Sequence, residues 1–189
     1  MSNSWPHSPK VISEKTSLPL RPFADTKAAG ALALEFSVRR LEAAIDVAFK
    51  LEGAESLYFP KPARAPERRD ELWKRTCLEI FVGPADASAY LEMNLSPSGD
   101  WNVYAFDGYR EGMRPADAEV VLARSTEGQW LRAATVRGPD VTKLLGCGDL
   151  VMSATSVLEY SNGEREYWAL AHAGQKPDFH LRQSFVLKI

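Results

Sequence analysis

The chain has 189 residues, of which 45% are hydrophobic and 25% charged, and its net charge is -2. These are ordinary globular values, with enough length for a core that needs no disulfide or metal staple. Bulk charge of this kind favours neither nucleic acid nor an anionic membrane surface, so neither is expected as a partner.

Residues 1–17 read as a polar, partly disordered N-terminal segment, and 18–189 as a single domain. The opening MSNSWPHSPK lacks a charged stretch followed by an apolar one, and no run is long enough to span a bilayer. Cys77 and Cys147 are too few for a disulfide framework. A reducing cytoplasm is the expected setting.

From there the hydrophobic period is close to two. Leu32, Leu34, Phe36 and Val38 alternate with small or polar residues, and Ile45, Val47, Phe49 and Leu51 repeat the pattern after a hairpin-length gap. Further strands are predicted at Leu57–Phe59, Cys77–Val82, Tyr90–Leu95, Asn102–Phe106, Val120–Ser125, Trp130–Val136, Leu150–Glu159, Tyr167–Ala171 and Phe185–Ile189. GPAD, SPSGD, EGQ and SNGE supply turns, with Gly99 suited to a positive φ. PERRDELWK and PDVTKLLG are the two short helical candidates, the second closed by Gly146. Many short strands joined by turns give an all-β, antiparallel sandwich.

Strand parity sorts the polar residues. In Cys77–Val82, Leu78, Ile80 and Val82 form one face, and Cys77, Glu79 and Phe81 the other. Equivalent sorting puts Glu92 and Asn94, then Tyr104, beside Glu79, with Trp73 preceding the strand. Each of these alone fits the wet face of an antiparallel sheet. Together they fit a carbohydrate site, where a ring stacks on an aromatic face and carboxylate or amide groups pair with its hydroxyls.

Other chemistries have weaker support. Glu79 and Glu92 could form a glycosidase pair, but two glutamates on adjacent strands are common in non-enzymes. Nothing pairs a thiol with a histidine. His172, Asp178 and His180 match no compact zinc spacing.

RRDELWKRTCLEIFV, YLEMNLSPSGDWNVYAFDGYREGM and YWALAHAGQKPDFHLRQSFVL together resemble the bacterial DOMON-like domain proteins. These are relatives of the family-9 carbohydrate-binding modules and of haem-binding DOMON cytochrome domains. The resemblance runs from about Leu18 to the C-terminus, and is specific at NLSPSGDWN and PDFH. It implies a jelly-roll-like β-sandwich of about ten strands that takes ligand on the concave face of one sheet. It also implies that Trp73 stacks on a sugar and that Glu79, six residues later, bonds its hydroxyls. Trp168 would close the other side of the ring, with Glu92, Asn94, Tyr104 and His172 completing the site. The expected function is non-catalytic binding of a carbohydrate or related small polar ligand, with no cofactor. The runner-up is a b-type haem domain using Met93 or Met113 with His172 or His180. Structural calcium is not assignable, because no dense Asp/Asn cluster is apparent.

Overall fold

A computed structural model describes residues 10–24, 32–123 and 130–189. Its strands are β1 (Thr16–Pro19), β2 (Arg21–Pro22), β3 (Ala33–Arg40), β4 (Ala44–Glu52), β5 (Cys77–Pro84), β6 (Tyr90–Leu95) and β7 (Trp101–Phe106). They continue as β8 (Arg114–Pro115), β9 (Glu119–Leu122), β10 (Trp130–Arg137), β11 (Leu150–Glu159), β12 (Arg165–Ala169) and β13 (Leu187–Lys188). One α-helix, α1 (Pro139–Leu145), precedes β11.

Two antiparallel sheets pack face to face. The smaller has the order β1-β3-β4-β10-β9, and the larger runs β2-β12-β11-β5-β6-β7-β8, with β13 also paired to β11. This is the sandwich that the period of two predicts. Three of its strands, β2, β8 and β13, are only two residues long, too short to leave a hydrophobic period.

The core follows parity. Phe36 from β3 and Ile45, Val47 and Phe49 from β4 meet Leu78, Ile80, Val82, Met93, Leu95 and Val103 from the larger sheet. The β3–β4 hairpin pairs Arg40 with Ile45 and Phe36 with Phe49, and those two rings lie 5.0 Å apart. α1 starts with Pro139 and buries Val141, Leu144 and Leu145 against the end of the sandwich. Among the described residues, no helix is long and apolar enough to cross a membrane.

Several local expectations change. Leu57–Phe59 makes a single bridge, Leu57 to Tyr160, and no strand. PERRDELWK contributes only a 3-10 turn, Leu72–Lys74. Thr16–Pro19, at the boundary drawn between the N-terminal segment and the domain, is paired to β3. EGQ and Ser125 lie outside the described residues, as do the first nine residues. SPSGD is a turn, with Gly99 at φ 100°, where a Cβ would stand 3.0 Å from Pro66.

The Phe49 ring is fully buried between the sheets, so Phe49→Ala should cost about 3–5 kcal/mol of stability. Val121, on the outer side of edge strand β9 and 45% exposed, should tolerate Ala within about 0.5 kcal/mol. Urea unfolding followed by circular dichroism measures both.

Candidate functional site

Both faces of the larger sheet are withdrawn from water. The face turned away from the smaller sheet carries a second cluster that includes Phe81, Tyr90, Tyr104, Phe106, Phe179 and Phe185. The last two come from the C-terminal segment, which folds back over the sheet. Between this segment and the Trp73 turn lies an open cavity of about 480 Å³, within the range of small-ligand sites. Trp73, Phe106, Tyr167 and Phe179 give it aromatic walls, Glu79 and Glu92 line its floor, and Lys74, Arg110, Arg165 and His180 complete the polar lining.

The floor is set by register. Glu79 pairs with Asn94 and Phe81 with Glu92 across β5–β6, while Glu92 pairs with Tyr104 and Asn94 with Asn102 across β6–β7. The two glutamates are therefore diagonal neighbours on one face. Glu79 and Glu92 are only 3% and 4% exposed. Asn94 Nδ2 donates to Glu92 Oε1 at 2.7 Å. Glu79 Oε1 is buried, and the Thr155 hydroxyl is buried opposite it on β11. Burial pushes the Glu79 carboxyl well above the usual carboxylate range, and the nearby Glu92 pushes it further; Thr155 and Arg110 pull the other way. Burial likewise lifts Glu92 to about 7, against the Asn94 hydrogen bond and the Arg110 charge.

Trp73 reaches the cavity from the 3-10 turn before β5, not from the strand itself. The turn is bolted to β7. Asp70 Oδ1 accepts from Tyr104 Oη at 2.6 Å and from Asn102 Nδ2 at 3.0 Å. Arg68 donates to the Ala116 and Ala118 carbonyls and lies over the Trp101 ring. The indole meets Tyr104 edge-on, with centroids 5.7 Å apart. The charges around Trp73 in the sequence are thus largely its mounting.

The opposite wall is fixed through Asp178, which accepts from Arg110 at 2.9 Å, from Tyr109 Oη at 2.6 Å and from the His180 amide at 3.1 Å. Tyr90 Oη accepts from the Arg110 amide and lies 2.7 Å from His180 Nδ1. On the other side of the ring, His180 Nε2 stands 3.8 Å from Glu92 Oε2. Burial, with Arg110 beside it, holds His180 down to about 4 against the pull of Asp178, leaving the ring neutral at pH 7. Among the described residues the two non-glycine positions with positive φ are Glu71 (62°) and Arg110 (56°). One is two residues before Trp73 and the other lines the cavity, where backbone strain is typically held by surrounding structure.

Trp73, Glu79 and Glu92 line this cavity; Asn94 braces Glu92 from the buried floor, and Tyr104 supports Trp73. Trp168 and His172 do not join them. Trp168 pairs with Ser156, which pairs with Leu78, so its ring points into the inter-sheet core, 3% exposed. Its Nε1 donates to Glu166 at 3.0 Å. Its neighbour Tyr167 faces the cavity instead. His172 Nε2 lies 2.9 Å from the Arg21 carbonyl, with its ring against Phe23. Met93 is fully buried between the sheets, so Met93 and His172 cannot flank one haem. Met113 and His180 do both line the cavity, but its carboxyl floor and cationic walls do not suit a porphyrin, which needs a broad apolar lining. Among the described residues no group of three or more His, Cys, Asp or Glu could hold a metal ion. Arg110, Arg165 and Tyr167 were not singled out in the sequence.

No protein-family model and no curated protein matches this chain. Among solved structures it is similar to a candidate carbohydrate-binding protein from Bacteroides uniformis ATCC 8492, with 15% identity and a TM-score of 0.62 over 90% of this chain and 84% of that one. It is also similar to a family-9 carbohydrate-binding module from Caldicellulosiruptor kristjanssonii in complex with cellotriose, with 14% identity and a TM-score of 0.44 over 87% of this chain and 80% of that one. At such identity the first likeness shows the fold alone, an antiparallel β-sandwich.

The shifted groups make stability depend on pH. A carboxyl whose pKa rises on folding keeps a proton that the unfolded chain releases, so Glu92 costs stability as pH climbs from about 4.5 through about 7. Glu79 acts with the same sign. His180, lowered from 6.5 to about 4, costs stability as pH falls below 6.5. The effects oppose each other below 6.5, and only the carboxyls act above it. The urea midpoint should therefore fall between about pH 6.5 and pH 8, and Glu92→Gln should flatten that fall.

Proposed function

We propose that this chain is a non-catalytic binding domain that holds a sugar ring against Trp73 and takes its hydroxyls on Glu79 and Glu92. The observation that carries the reading is the meeting of Trp73 with two buried carboxyls, Glu79 and Glu92, in the lining of one cavity. A carboxyl that keeps its proton can both donate and accept, as a hydroxyl does. Glu92 offers a second acid, and His180 offers a neutral imidazole from the side.

The aromatic walls supply the other half of sugar recognition. A pyranose has an apolar C–H face and a polar rim, and the cavity divides the same way, with rings on its walls and carboxyls beneath. The similarity in fold to a candidate carbohydrate-binding protein is compatible with this reading; by itself it would be analogy.

Isothermal titration against neutral and acidic mono- and disaccharides tests the proposal. At least one should bind to wild-type protein, and Trp73→Ala should weaken it by about tenfold or more. A panel with no binder, or unchanged affinity in Trp73→Ala, would reject it.

A further inference from the structure

Three cations line the cavity, and they differ in what occupies them. Lys74 Nζ is held by Glu71 at 2.6 Å, and Arg110 by Asp178 at 2.9 Å. Arg165, on β12, has neither an ion pair nor a side-chain hydrogen bond among the described residues. The acid directly opposite it on the same face, Glu159, is already taken by Arg75 at 2.5 Å.

The position of Arg165 makes this more than an ordinary solvated arginine. Tyr167, two residues along β12, faces the cavity and pairs with Val157, which pairs with Cys77 at the start of β5. The Trp73 turn lies just before Cys77, so Arg165 stands at the same end of the sheet as the indole. The acids lining the cavity, Glu79 and Glu92, are sunk in its floor. The open part of the cavity therefore presents cationic groups and no exposed carboxylate. A planar guanidinium with free donors fits an oxyanion by two parallel hydrogen bonds.

Building on the carbohydrate reading, we propose that the ligand is an acidic sugar, with its ring on Trp73 and its carboxylate or phosphate on the Arg165 guanidinium. The carboxyl floor takes the hydroxyls, and Arg165 selects for the charge.

The test is titration calorimetry on the full chain with glucose, glucuronate, glucose 6-phosphate, their galacto counterparts and inorganic phosphate. An acidic sugar should bind about tenfold more tightly than its neutral counterpart at low salt, with the gap narrowing as sodium chloride is added. In Arg165→Gln the ratio of acidic to neutral affinity should fall to about one. Comparing the uronates with the phosphates tells which anion is read. Equal affinities for neutral and acidic sugars overturn this inference and leave the carbohydrate reading standing. A preference that persists in Arg165→Gln, or inorganic phosphate binding as tightly as a sugar phosphate, also overturns it. If nothing in the series binds, the carbohydrate reading itself falls.

Discussion

A strand sends its side chains to only two sides, and in β5, β6 and β7 both sides are buried. One side can be purely apolar, because it meets another sheet. The other must carry what the cavity uses, so Glu79, Glu92 and Asn94 occupy positions from which water is largely excluded. Exclusion gives these groups their properties. In water the two glutamates would be ordinary carboxylates; beneath the C-terminal segment they are acids reluctant to ionise.

The strands alone do not make the cavity. Its walls come from the turn at Leu72–Lys74, from the hairpin loop carrying Arg110, and from the segment carrying Phe179 and His180. None of the three has long secondary structure of its own, and each is held by a few polar contacts. Asp70 joins the first to Asn102 and Tyr104, while Asp178 joins the second to the third. Two acids that look like loop polarity in the sequence thus decide where aromatic rings and cations stand.

The sequence and the structure agree wherever periodicity is the controlling physics. The sandwich, the β3–β4 hairpin and the shared face of Glu79, Glu92, Asn94 and Tyr104 all follow from alternation. Agreement ends at β12, where both parities contain an aromatic residue. Nothing within that strand says which one faces inward. The register with Ser156 and Leu78 places Trp168 inside and Tyr167 outside. Arg110 and His180 escape a period-two reading for a different reason. They lie on loops whose positions depend on long-range contacts, such as Tyr90 with His180, ninety residues apart.

The N-terminal residues Thr16–Pro22 act as a clip across both sheets. They pair with β3 in the smaller sheet through β1, then cross to β12 in the larger one through β2, with Leu20 buried at the crossing. One short segment therefore covers an edge of each sheet. A chain starting after Pro22 would expose the backbone of β3 and β12 together, two unpaired templates at one end of the same sandwich. Such a molecule could join its neighbours through either sheet and grow in chains, whereas the intact protein presents there the short β1 and a β2 that ends in a proline unable to donate.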